Sequence, residues 1–498
     1  ASISGRVSTG DLGDFADEVT RVADEIRGHL GLGQGTRRQI EHGRAAAPLS
    51  IDARRAYAAA QDAARRFEYR RAAELLVESL RLEPDHPKVL HALSAAWGKL
   101  GFRVRAEDAS RRAVEHSSGL ARHEQMALEA RLRILERDWQ RAEALYRALW
   151  EFYPDDATYG LGVVEAHDRS GNLQAALEGA EVLRRRFGPD PRIDLTVSHV
   201  AYHAGDWGAS QEAAAKVAAR GVELGSPAIE ATGLLQGAMT RLRTDQDLTP
   251  VERQLARGVA LAESVGNRMR TGLGRIYQGD CARRRDRFDE AEAFYRLGLD
   301  ELEAVGSVHV DRARSSLAIL LDRKGRLREG LQIKQQVLQS YRERHVVQGA
   351  AIMQENIAIS MLKMGRPADA LREFEDVERQ YVELGDEIGV AWSPYYQGRA
   401  WLDRGELDPA EEQLRRAKLA AGADGADGDG DTDRGLHAAV DFERARLAFH
   451  RHRLDDARGL VSALVDYYRG LERPFDVAEV QVLWARIEHR AGRLDRAE

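Results

Sequence analysis

Apolar and small residues recur along this chain in a fixed phrase: a glycine or polar residue, one position, an apolar residue, two positions, then a small residue. It reads "GNLQAA" to Ala176, "GDWGAS" to Ser210, "DRFDEA" to Ala291, "GRLREG" to Gly330 and "GRPADA" to Ala370. It continues as "GELDPA" to Ala410, "HRLDDA" to Ala457 and "GRLDRA" to Ala497, with looser copies ending at Ala72, Ala106 and Ala142. The small residues are spaced by 34, 36, 34, 34, 81, 39, 40, 40, 47 and 40 positions. The interval of 81 hides one more unit, in which "DLTPVE" offers a capping box from Thr249 to Glu252, with Pro250 at the first helical position.

Twelve positions before nearly every anchor stands a second small residue: Ala60, Ser94, Ala130, Ser198, Gly279, Ala318, Ala358, Gly398, Ala445 and Ala485, with Val164 breaking the rule. One small residue on each of two helices lets antiparallel neighbours approach closely, and the glycine between them ends the first helix. Four and seven residues beyond the anchor come large apolar side chains, as at Tyr146 and Leu149 or Phe374 and Val377, which is one stripe of a helix. Pro84 and Pro154 stop the second helices of their units. Helix, turn, helix and proline at a period of 34 closely resembles the tetratricopeptide repeat. The expected fold is all-α: a tetratricopeptide-type α-α superhelical solenoid of about twelve helix pairs, because no pair buries its apolar face alone.

Three stretches are expected. Residues 1–48 read as a strand ("ASISGRV"), a helix carrying Phe15, Val19, Val22, Ile26 and Leu30 on one face, and a linker, the tail of an α/β domain. Residues 49–220 form an array of period 34. Residues 221–498 form an array of period about 40, with the Asp/Gly run at 422–433 as a solvated loop. Both ends look cut. The run departs from the EF-hand pattern at Thr432 and Ala438, which speaks against calcium.

Composition narrows the function. The 43% apolar content can build a core, and 31% charged residues suit long solvated helix faces. A net charge of −7 argues against direct nucleic-acid binding, and a single cysteine, Cys281, fits a reducing, cytoplasmic setting. No apolar stretch is long enough for a membrane helix. The stretches from Ala56 to Gly101 and from Leu120 to Asn172 resemble one group of bacterial signalling proteins. In that group a carboxy-terminal array follows a Ser/Thr kinase or winged-helix domain, often with a TolB-like domain between. The resemblance implies a regulatory role and supplies no catalytic residue.

Nor do the residues themselves. The Gly-rich loop, strand lysine, His-Arg-Asp and Asp-Phe-Gly motifs of kinases are missing, and Asp14-Phe15-Ala16 is the nearest approach. No enzyme activity, cofactor or metal is expected of this chain. His199 and His203 lie one helical turn apart, with Asp168 or Glu165 as further ligands, but exposed histidines on repeat helices are ordinary. The expected partner is a protein or peptide segment in the concave groove lined by the first helices. Counted from the anchors, that face carries Lys88, His91, Arg131, Glu165, Arg192, His199 and Tyr202. Further along it carries Asp280, Arg283, Arg312, Asp322, Glu355, Trp392, Tyr395 and Arg399. Trp392, Tyr395 and Arg399 form the candidate hot spot, since Trp, Tyr and Arg dominate interface energies.

Overall fold

The computed structural model describes residues 21–22, 48, 50–245, 247–344, 346–421, 431–470 and 474–493, with side chains omitted at 431–434 and 474–475. The strand and linker expected before residue 48, all but Arg21 and Val22 of the helix between them, most of the Asp/Gly run and the last anchor, Ala497, lie outside these residues. The chain is an all-α, tetratricopeptide-type α-α solenoid, divided into two compact units, Ala1–Arg285 with Asp289–Val310, and Asp286–Phe288 with Asp311–Glu498.

The first unit holds α1 (Ile51–Arg65), α2 (Tyr69–Leu82), α3 (Pro87–Leu100), α4 (Arg103–Glu115), α5 (Arg122–Glu136), α6 (Trp139–Phe152) and α7 (Ala157–Ser170). It continues with α8 (Leu173–Phe187), α9 (Pro191–His203), α10 (Trp207–Glu223), α11 (Pro227–Thr244), α12 (Thr249–Ser264), α13 (Arg268–Arg284) and α14 (Phe288–Ala304). The second unit holds α15 (Val310–Arg323), α16 (Leu327–Glu343), α17 (Val347–Lys363), α18 (Pro367–Leu384) and α19 (Glu387–Asp403). It ends with α20 (Leu407–Ala420), α21 (Asp431–His450), α22 (Leu454–Gly470) and α23 (Pro474–Arg490).

The repeated phrase does the expected work. Ala72, Ala106, Ala142, Ala176, Ser210, Ala291, Ala370, Ala410 and Ala457 are all fully buried, as are Ala60, Ser94, Ala130, Ser198, Ala318, Ala358 and Ala445 across from them. Two pairs register the contact directly: Ser94 Oγ donates to the Ala106 carbonyl at 2.8 Å, and Ser198 Oγ donates to that of Ser210 at 2.8 Å. Five residues before each described anchor the backbone turns left-handed, at Gly101, Gly171, Gly205, Gly325, Gly365 and Gly405, but also at Phe67, Arg137, Asp286 and His452. A side chain costs about 1–2 kcal/mol in that conformation, so these four positions hold a residue other than glycine against the local preference.

Val164 shows how the array absorbs an exception. It is buried like the small residues it replaces, and on the facing helix α8 stands Gly179, where a Cβ would lie 2.9 Å from Val164 Cγ2. The extra volume on one helix is matched by missing volume on the other. The hidden unit is the pair α11 and α12. Its helix starts at Thr249 with Leu248 as the cap residue, so the capping box expected at Thr249 is corrected. Asp247 instead accepts a 2.9 Å bond from the Thr249 N–H. The α10–α11 approach is extreme: a Cβ at Gly221 would sit 2.2 Å from the Glu230 nitrogen, and one at Gly233 2.3 Å from that of Ala218.

Candidate functional site

In the first unit the array closes on itself. The α1–α2 turn meets the start of α11, where Ser226 Oγ donates to the Arg66 carbonyl at 2.9 Å. Phe67 is buried there in one cluster with Val217, Ala228 and Ile229. Further round, Met269 at the start of α13 lies against Gly101 at the end of α3. The inner ends of α3, α5, α7, α9 and α13 therefore face a common interior.

The charges in that interior act on one another. Burial, with Arg131 and Lys88 beside it, pushes the His91 imidazole down to about 4. Burial with Arg270, Lys99 and Arg169 pushes His199 down to about 3. Burial works to raise the Glu165 carboxyl, but Lys99, Arg131 and Arg169 outweigh it and hold it below the usual carboxylate range. Lys99 is itself pushed down by its surroundings, against the pull of Glu165, although its side chain remains accessible to solvent. Protein encloses it and water still reaches it, which is the condition of a wet lumen.

Other inner residues are engaged within the fold. Lys88 pairs with Glu124 at 2.8 Å, and Arg192 pairs with the helix-capping Asp190 at 2.6 Å. Tyr202 packs edge-on to Trp207, ring centres 5.2 Å apart. Asp280 accepts from the Tyr295 hydroxyl at 2.7 Å, and Arg283 donates to the same hydroxyl at 3.4 Å. His203 lies 2.7 Å from Asp168, and among the described residues no group of three ligating side chains could hold a metal. Cys281 is buried in the core beside Tyr277, and burial pushes its thiol up.

In the second unit the candidate residues divide by depth. Arg312 is exposed. Trp392 is half-buried and meets Tyr395 edge-on at 5.6 Å and Tyr396 at 6.1 Å. Tyr395, 8% exposed, belongs to the core cluster with Ala417, Leu436 and Val440, so its ring is a packing element. Arg399 lies 3.6 Å from Glu443, a carboxylate also bound by Arg446 at 2.6 Å. Burial raises the Glu355 carboxyl to about 7, and Tyr381 donates to it at 3.3 Å. Asp322 sits deep in the seam, bonded to Lys334 Nζ at 2.5 Å, which also reaches Ser360 Oγ at 2.7 Å.

Sequence reasoning passed over Lys99, Arg169 and Arg270. The first two stand five residues beyond the small residues Ser94 and Val164, one helical turn past the position that singled out Arg131, Glu165 and His199. Extending the count by a turn would have found them. Arg270 has no such signal, because its place in the lumen depends on the closure of the unit.

No protein-family model matches this chain, and no curated protein does. Solved structures do resemble it. The apo form of the quorum sensor NprR from B. thuringiensis is 13% identical, with 69% of this chain and 96% of that one covered at a TM-score of 0.50. A Rap protein complexed with competence and sporulation factor is 11% identical over 76% of this chain and 100% of that one, at 0.47. NprR in complex with its cognate peptide NprX is 15% identical over 52% and 73%, at 0.44. At such identities the likeness is one of fold. Among the described residues no helix is long and apolar enough to cross a membrane.

Proposed function

We propose that this chain is a non-catalytic binding array whose inner helix faces hold a protein or peptide segment. We further propose that it serves as the sensory region of a bacterial signalling protein such as a Ser/Thr kinase. One observation carries the reading: first helices of successive pairs bring Lys88, His91, Arg131, Glu165 and His199 to one enclosed, solvent-reached face. Charged groups gathered at such a face, with no group of three metal-ligating side chains among the described residues, suit recognition of a charged segment. The arrays at 49–220 and 221–498 are proposed as its two parts, with the candidate hot spot around Trp392 and Arg399 in the second.

A second reading has its own support. The quorum sensor of like fold favours a receptor that senses a free peptide or small molecule for a transcription regulator, instead of docking a partner protein. Both readings use the same surface, and a displayed peptide library panned against the full chain separates them from a structural role. Selected peptides should lose about 2 kcal/mol or more of affinity on Arg131→Gln/Glu165→Gln or on Trp392→Ala/Arg399→Ala, and little on Arg372→Gln at the outer surface. Selection of peptides indifferent to all the inner changes would refute the reading.

A further inference from the structure

The inner charges of the first unit differ in one respect from the rest of the surface. Lys88 and Arg192 have carboxylate partners in direct contact. Among the described residues, the charged groups of Lys99, Arg131, Arg169 and Arg270 have no ion pair or hydrogen bond, and Arg131 Nε is buried with no partner at all. Glu165 acts on Lys99, Arg131 and Arg169 without meeting any of them directly, and Asp168, in contact with His203, lies within range of Glu165. Four formal positive charges, Lys99, Arg131, Arg169 and Arg270, thus stand against two negative ones, Glu165 and Asp168, in a protein whose net charge is −7. The imbalance is local. Carrying it unpaired inside a protein-walled space costs electrostatic energy that an anionic occupant would recover.

The fold brings these four together deliberately. Arg131 reaches from α5 over α3, where a Cβ at Gly98 would lie 2.7 Å from its Nη2, so glycine there leaves room for the guanidinium. Arg270 reaches the interior from the far side of the closed unit, since α13 touches α3 directly. It faces Tyr69 of α2, as Arg192 does from α9. Lys99 and Arg169 are exposed to the solvent within.

We propose that this lumen is the binding site for an extended acidic peptide, its carboxylates taken by Lys99, Arg131, Arg169 and Arg270. The inference rests on the reading of the inner face as the binding surface and names the chemistry of its occupant. Spacing favours a peptide. Packed helices stand about 8–10 Å apart, and an extended chain advances about 3.3 Å per residue. Carboxylates three residues apart, about 10 Å along an extended chain, suit cations carried on different first helices such as α3, α5 and α7. The neutral imidazoles of His91 and His199 add hydrogen-bonding groups without adding charge.

The test titrates the full chain with a fluorescent peptide of about twelve residues bearing Glu at every third position, and with its Gln counterpart. The Glu peptide should bind at least ~10-fold more tightly, and should weaken as NaCl rises from about 50 to 300 mM. Lys99→Gln/Arg169→Gln should lower its affinity by about tenfold or more, Lys99→Arg/Arg169→Lys should keep most of it, and Arg111→Gln on the outer surface should leave it unchanged. Thermal melts confirm that each variant is folded. Equal binding of the two peptides, sensitive to the inner variants, would overturn the acidic assignment and leave the inner-face reading standing. Binding of neither peptide, with inorganic polyphosphate bound through the same cations, would replace the peptide by another polyanion and overturn the proposal. Acidic binding untouched by the Gln variants would remove it from the lumen altogether.

Discussion

Phe67 and His452 occupy the same turn position in different repeats, both left-handed, and the difference between them shows what a single residue decides. His452 is exposed, so its side chain gives the turn nothing in return for the strain. Replacing it by glycine should stabilise the fold by up to about 1 kcal/mol, read from chemical denaturation. Phe67 is 3% exposed and its ring fills the contact with Val217 and Ile229, so Phe67→Gly should destabilise by about 3 kcal/mol despite the easier backbone. Glu355 is a second residue-scale case. Its folded pKa, about 7, lies above the ordinary carboxylate value, so its contribution is full below about pH 4.5 and is lost as pH rises through 7. Glu355→Gln keeps an acceptor for the Tyr381 hydroxyl and removes the charge. The variant should gain about 2 kcal/mol over wild type at pH 8 and nothing at pH 4, in paired unfolding curves. His91 and His199 work in the opposite sense. Their folded values are depressed, so the unfolded chain takes up protons first and stability falls as pH drops from about 6.5 towards 4.

At the scale of the element, the helices were legible because each anchor combines a small residue, a turn and an apolar stripe, all local in sequence. Even the hidden pair α11 and α12 announced itself through Pro250, although the cap residue fell one position earlier than read. Compensation between elements was less legible. Nothing near Val164 in sequence says that Gly179 answers it, and the pair is a double-mutant test. Gly179→Ala alone should cost about 1 kcal/mol by overpacking, while in a Val164→Ala background the same change should stabilise, because alanine is the better helix former. A Gly179→Ala effect of equal sign in both backgrounds would show that the two positions do not share volume. The seam at Lys334 is stricter. Lys334→Met would leave Asp322 as an uncompensated buried charge and should cost about 3–5 kcal/mol, whereas exposed pairs such as Arg415 with Glu412 should contribute far less.

Across the whole molecule, the site divides by what local pattern can carry. The inner positions one residue beyond the anchors' partners were readable from the period, and they hold Arg131, Glu165 and His199. The closure of the first unit was not readable, because Ser226 and Arg66 are 160 residues apart and nothing in the repeat pattern pairs them. Closure is what brings Arg270 into range of Lys99 across the interior of the first unit. The hot spot expected at Trp392, Tyr395 and Arg399 lies among aromatic rings and paired charges, where packing and recognition draw on the same side chains. The central claim is that ligands meet the first helices from inside. The most direct measurement is photo-crosslinking, with a benzoylphenylalanine placed in turn at Tyr202, at Trp392 and at Arg372, and a peptide selected by the full chain. The account predicts adducts from Tyr202 or Trp392, each competed by unlabelled peptide, and none from Arg372. Competable adducts from Arg372 alone would put the binding surface on the outside of the helices and contradict it.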